Sequence, residues 1–146
     1  GDALQDRDPG MDIALAGLAA TVRRIRAAGK RVVVVAPPPS NGFDYTHCIE
    51  RRMANRNPFR GLVDCDIPQA EYRASKRGVL DFLQRAGQRG GFDVLSLEPA
   101  LCDGEACRTM LGDAVVYRDE GHLSHAGSVA VARALDLGAD VGRRAR

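Results

Sequence analysis

Residues Lys30–Ser40 read KRVVVVAPPPS. Four consecutive valines without a polar residue between them suit a strand buried on both faces, as in a parallel sheet. The three prolines that follow end it abruptly, because proline has no N–H to extend a ladder. Upstream, Met11, Leu15, Leu18, Val22 and Ile25 recur at steps of four, three, four and three, the stripe of an amphipathic helix. Gly29 marks its end. Helix, glycine and buried strand make half of a parallel α/β unit.

The unit repeats. Tyr72, Val79, Leu80 and Leu83 support a second helix over Gln69–Arg89, weakened by Gly78, and GGFDVLSLEP (Gly90–Pro99) supplies a second strand, again ended by proline. Between them Ser40–Pro68 shows no sustained period and reads as a long loop with a short helix near Ile49–Met53; long loops inside compact domains are often functional. DAVVYRD (Asp113–Asp119) is a brief β-like piece, and SHAGSVAVARALDLG (Ser124–Gly138) reads as a terminal helix capped by Ser124. Residues 138–146 are expected as a basic, flexible tail. This order implies an α/β fold: a three-layer α/β/α arrangement around an open, mainly parallel sheet, with sites at the C-terminal ends of the strands. APPPSN, SLEPALC and YRDEGHLS should therefore share one rim.

Composition bounds the function. With 146 residues, 45% hydrophobic and 27% charged, the chain has the balance of one globular domain. A net charge of +2 with scattered basic residues gives no footprint for nucleic acid. No stretch approaches the roughly 18 to 20 apolar residues that cross a bilayer, and the start lacks the basic and apolar regions of a signal peptide. No Gly-x-Gly cradle follows the first strand, so nucleotide binding finds no support, and no cofactor is implied.

Four cysteines fall as two local pairs, Cys48 with Cys65 and Cys102 with Cys107. In LCDGEACR a tight Asp-Gly turn can bring two Cα atoms within the roughly 4.4 to 6.8 Å a disulfide needs. The Cys48 to Cys65 interval encloses an aperiodic stretch that a crosslink would restrict. Disulfides place the protein in an oxidising compartment; four reduced thiols are the alternative. A third reading, Cys102, Cys107, His122 and His125 as a zinc set, has an H-x(2)-H spacing shorter than usual and competes with the disulfide, so no metal is assigned.

YRDEGHLSHAGS (Tyr117–Ser128) carries the chemistry. A histidine general base needs one ring nitrogen toward the nucleophile and the other held by a carboxylate. Asp119 and His122, three apart in a turn before a helix cap, meet that need: the carboxylate reaches Nδ1 and leaves Nε2 over the rim. His125 reads as a solvent-facing helix residue. Ser40 and Ser96 lie near strand ends and are the serines best placed to approach the histidine, though each reads more simply as a loop or strand residue. Arg51, Arg52, Arg56 and Arg60 could meet an anionic glycan, with a solvated face as the plainer reading, and Tyr45, Phe59 and Tyr72 could stack on sugar rings.

Here the residues carry a family likeness. LCDGEACRTMLGDAVVYRDEGHLSHAGSVAVARAL (Leu101–Leu135), with AAGKRVVVVAPPP (Ala27–Pro39) and THCIERR (Thr46–Arg52), resembles the SGNH hydrolase superfamily, and more narrowly the SGNH domain fused to acyltransferase-3 family membrane proteins that modify bacterial surface polysaccharides. The resemblance implies an SGNH/flavodoxin-like fold. It also implies that the catalytic Asp and His map onto Asp119 and His122, that the location is periplasmic, and that an acyltransferase transmembrane domain shares the parent chain. The implied function is transfer or hydrolysis of O-acyl groups, commonly acetyl, on an acylated polysaccharide. One departure stands out: the Ser nucleophile of this superfamily sits in Gly-Asp-Ser after the first strand, whereas this chain has Gly1-Asp2-Ala3 with no strand before it. None of Ser40, Ser75, Ser96, Ser124 and Ser128 has the strand, sharp turn and helix context of a nucleophile. Residues 1–137 are therefore read as the C-terminal portion of one SGNH-like domain, N-terminally truncated, with the nucleophile upstream and the chain alone inactive. The alternative is a non-catalytic carbohydrate-binding or interaction module of the same shape.

Overall fold

The computed structural model describes residues 9–54 and 64–144. Helix α1 (Pro9–Ala27) follows the apolar stripe: Leu15 and Val22 are buried, while Ile25 at its far end is exposed. Gly29, at φ 74°, turns the chain into strand β1 (Val33–Val35). Helix α2 (Thr46–Ala54) is longer than the short helix anticipated inside the loop and begins where the Asp44 carboxylate accepts the Thr46 N–H at 2.8 Å. Strand β2 (Ile67–Pro68) leads into helix α3 (Gln69–Gly90), which ends at Gly91 in the left-handed conformation. Strand β3 (Asp93–Leu95) runs parallel to β1, with Val34 opposite Val94.

Side chains of this pair alternate between two buried clusters. Val34 and Val94 pack with Leu15, Val22, Ala86 and Phe92 under α1 and α3. Val33 and Leu95 belong to the larger cluster around Tyr72, Leu101, Val116, Tyr117 and Val131. The remaining elements are helix α4 (Glu98–Leu101), strands β4 (Ala106–Cys107), β5 (Met110–Leu111) and β6 (Ala114–Val115), and helices α5 (His125–Ala134) and α6 (Leu137–Arg144), and all but β6 contribute to that second cluster.

Three expectations are corrected. The described strands form one parallel pair and two antiparallel pairs, β2 with β4 and β5 with β6, rather than a mainly parallel sheet. β1 is not buried on both faces: Val33 and Val34 are half-buried and Val35 is 47% exposed. Among the described residues β1 pairs with β3 alone, so one backbone edge has no strand beside it. The flexible tail is a helix over Leu137–Arg144. The terminal helix breaks at Asp136, whose φ of 45° puts it in the left-handed region that Asp tolerates better than most residues. The chain then restarts as α6, whose Arg144 pairs with Asp140 at 2.8 Å and approaches Asp93 at 3.8 Å.

Both disulfides form as paired in the sequence, with Cα separations of 5.8 Å for Cys48–Cys65 and 4.0 Å for Cys102–Cys107. The second closes an antiparallel bridge, and its hairpin is tied to α3 through Gln69: the backbone N–H of Gly104 donates to Gln69 Oε1, and that of Gln69 to Glu105 O. The Glu98 carboxylate draws α3 onto α4, accepting from Tyr72 Oη at 3.0 Å, Arg73 Nη2 at 3.0 Å and Gln69 Nε2 at 3.2 Å.

Among the described glycines, Gly127 of α5 makes the closest approach, to Val116 just beyond β6. A Cβ on Gly127 would lie 2.2 Å from Val116 O, so the backbones can approach only because residue 127 has no side chain. Gly127→Ala is expected to destabilise the domain by at least about 2 kcal/mol through overpacking, whereas Gly17→Ala, in open space on α1, should stabilise it by up to about 1 kcal/mol through helix propensity. Chemical denaturation of the two variants checks both signs. The Cys48–Cys65 crosslink spans 17 residues, and replacing both cysteines by Ala should cost about 3 kcal/mol by loop-closure entropy, measured in the same way.

Candidate active site

The site is a turn clamped at both ends. Below it, Ser124 caps α5: its Oγ accepts the Gly127 N–H at 2.8 Å and donates to Val115 O at 2.5 Å, while its N–H donates to Val116 O at 2.8 Å. Above that clamp Tyr117 and Leu123 bridge in antiparallel fashion, and Arg118 N–H donates to His122 O at 2.9 Å. Residues 119–121 have to reverse the chain in a few bonds.

Asp119 makes that reversal. Its Oδ1 accepts the backbone N–H groups of Gly121 at 3.0 Å and His122 at 2.8 Å, an Asx-type turn that satisfies two donors with one side chain. The same geometry brings His122 Nδ1 to 2.8 Å from Oδ1 and 3.0 Å from Oδ2. Arg118 Nε stands 3.4 Å from Oδ2. The Gly121 N–H bond, with the contacts of His122, holds the Asp119 carboxyl well below the usual carboxylate range. An ionised carboxylate only accepts hydrogen bonds, so Nδ1 carries the proton and the neutral ring presents an Nε2 lone pair. No described residue hydrogen-bonds to Nε2. The ring is 71% exposed, and an exposed pair adds little to stability; what the turn achieves is orientation.

The turn sits at the rim. Tyr117 Oη donates to Pro39 O, tying the segment before Asp119 to the end of β1, and burial pushes the Tyr117 hydroxyl pKa up. Ala36 N–H donates to Leu95 O at 2.9 Å, which aligns the end of β1 with that of β3. Beyond Ser40 runs the 41–45 loop, whose Asp44 carboxyl is held below the usual carboxylate range by its hydrogen bonds to Thr46. Asn41 shapes that loop: Oδ1 accepts Phe43 N–H at 3.1 Å, and Nδ2 reaches Tyr45 Oη and Glu71 Oε2, each at 3.0 Å.

The other candidate residues separate clearly. Ser40 is buried at 3% exposure and Ser96 Oγ accepts the Glu98 N–H at 3.1 Å; neither hydrogen-bonds to His122. Cys102 and Cys107 are bonded to each other, which removes the thiolates a zinc set requires. Tyr72 is buried with its hydroxyl on Glu98, out of reach of a sugar, because its apolar body fills the larger core. Tyr45 is half-buried; Phe59, Arg56 and Arg60 lie outside the described residues. Arg51 is exposed and Arg52 half-buried on α2.

Sequence reading passed over Phe43. It is 61% exposed, edge-on to Tyr45 with ring centroids 5.0 Å apart. The signal available was its place in NGFDY just beyond the prolines, the end of a rim strand.

The chain is a member of the SGNH family, matching the description SGNH domain (fused to AT3 domains) over residues 2–136. No curated protein and no solved structure matches it. Membership sets its chemistry as acyltransferase or esterase type and associates it with AT3 domains. No described helix is long and apolar enough to cross a membrane.

Because the folded Asp119 pKa is depressed, its contribution to stability is present above the ordinary carboxylate range and is lost as pH falls through the folded value. The stability difference between the protein and Asp119→Asn should therefore narrow on acidification. Carbon-detected NMR of the Asp119 carboxyl should show a midpoint well below about 3.9, the ordinary Asp value.

Proposed function

We propose that Asp119 and His122 are the acid and base of an SGNH catalytic triad whose serine nucleophile is supplied by a segment outside these 146 residues, and that the completed site moves an O-acyl group, commonly acetyl, on a bacterial surface polysaccharide. The observation that carries the reading is the dyad geometry: Nδ1 held by both oxygens of an anionic carboxylate, with Nε2 open at the rim. The family match supports acyl chemistry. The open edge of β1 and the exposure of Val35 support a sheet that continues past β1, consistent with a three-layer domain whose first strand brings the Gly-Asp-Ser block.

In the mechanism the serine hydroxyl attacks the ester carbonyl as its proton passes to His122 Nε2. Asp119 stabilises the imidazolium that forms, and the proton then passes to the leaving sugar oxygen. Water or a second sugar hydroxyl releases the acyl group. Phe43 gives the rim an exposed aromatic face suited to a sugar ring. Two disulfides support residence in an oxidising compartment, the periplasm, beside an acyltransferase transmembrane domain in the same parent chain.

The second reading, a carbohydrate-binding module without catalysis, is favoured by one observation: no described hydroxyl engages Nε2. Turnover of p-nitrophenyl acetate separates the two. This chain alone should be inert, and a longer chain carrying the Gly-Asp-Ser block should turn over and lose about a thousandfold or more in kcat with His122→Ala. Full activity in His122→Ala would refute the assignment; inertness of the longer chain would favour the binding module. Turnover by the 146 residues that vanishes with His122→Ala would place the nucleophile within them.

A further inference from the structure

Seven large hydrophobic side chains stand exposed among the described residues, and Phe43 is the one aromatic among them. An accidental exposure would sit on slack backbone, and this one does not. Asn41 Oδ1 accepts the Phe43 N–H at 3.1 Å, closing an Asx-type turn. Gly42 between them has a φ of 82°, a left-handed conformation that a side chain would resist. On the far side, the Asp44 carboxylate accepts the Thr46 N–H at 2.8 Å and Tyr45 O accepts the Ile49 N–H at 2.9 Å, so α2 begins at once. Phe43 is therefore presented to solvent by backbone held on both sides of it.

The ring does not stand alone. Tyr45, which packs on the larger core, meets it at an interplanar angle of 72° with centroids 5.0 Å apart. Asn41 Nδ2 donates to the Tyr45 hydroxyl and to Glu71 Oε2, each at 3.0 Å, which sets a carboxylate next to the aromatic pair. Among the described residues nothing hydrogen-bonds to the other Glu71 oxygen, and no lysine or arginine pairs with Asp44 or Glu71. The loop leaves the core at Pro39, whose carbonyl takes the Tyr117 hydroxyl two residues before Asp119.

We propose that Phe43, backed by Tyr45, is the stacking platform of a subsite for a neutral pyranose ring. The inference rests on the reading that this rim meets a sugar, whether the sugar is then acylated, deacylated or only held. A pyranose chair presents several C–H bonds on one face, and their positive polarisation suits the negative face of an aromatic ring. Its hydroxyls project from the ring edge, where the unengaged oxygen of Glu71 can accept one. Charge decides the class of sugar. With Asp44 and Glu71 beside the platform and no lysine or arginine on either, the carboxylate of a uronic acid would meet like charge. A neutral hexose meets no such repulsion.

The test uses the chain itself, at low salt because exposed charges are screened, with two probes that differ by one carboxylate: methyl β-D-glucopyranoside and methyl β-D-glucuronide. Titration with the glucoside should shift the Phe43 ring signals saturably, and saturation-transfer NMR should mark mainly the protons of one sugar face. The glucuronide should bind several-fold more weakly, by a margin that shrinks as salt is raised. Phe43→Ala should weaken glucoside binding by about tenfold without moving the melting temperature, and Phe43→Tyr should retain it. Ile13→Ala, which trims an exposed aliphatic side chain from α1, should bind as the parent does. No saturable shift of Phe43, unchanged binding in Phe43→Ala, equal weakening by Ile13→Ala, or tighter binding of the glucuronide would overturn the proposal. Such a failure is separable from failure of the catalytic assignment, because p-nitrophenyl acetate carries no sugar. Turnover of that ester by the longer chain, dependent on His122, tests the triad whatever Phe43 binds.

Discussion

The seating of α5 on Val115 and Val116 is the constraint on which the site depends. Ser124 hydrogen-bonds to both carbonyls, and Gly127 lets the helix backbone come so near Val116 that no side chain fits between them. Val116 is fully buried in the larger core, so the clamp is anchored to the best-packed part of the molecule. With 117 and 123 bridged above it, the chain has few ways to reverse, and Asp119 takes the one that also holds His122. The geometry of the Asp119–His122 pair follows from a packing requirement one helical turn away.

That arrangement holds Asp119 and His122 together through local contacts. Every partner that fixes the Asp119 carboxylate lies within three residues of it in sequence, and the one long-range tie, Tyr117 to Pro39, sets where the turn sits rather than its shape. The dyad is a local unit delivered to the rim by the fold.

Much of this was legible in the sequence wherever the cause was local. The stripe from Met11 to Val22, the turn at Gly29, the Ser124 cap, the two cysteine pairs and the Asp119–His122 spacing are short-range patterns, and each appears in the structure where the residues put it. What escaped reading depends on distant neighbours. Four valines look the same whether a strand is central or at an edge, so Val35 gave no hint of its exposure. The break at Asp136 is a backbone choice that an alanine-rich run conceals, and α6 is secured by Arg144 near Asp93, 51 residues earlier in the chain. Tyr72, offered by the sequence as a stacking residue, is drawn inside by Glu98 and the larger core, while Phe43, passed over in the sequence, stays out on a loop that Asn41 holds.

The account rests on a histidine whose tautomer is set before any substrate arrives. Long-range proton–nitrogen correlation NMR of the His122 ring, recorded at alkaline pH, measures this directly. The Asp119 geometry requires the proton on Nδ1 and an unprotonated Nε2, and Asp119→Asn should disturb that preference. A ring protonated mainly on Nε2, or one that averages freely between tautomers in the unmodified protein, would contradict the claim that the turn presents a ready general base.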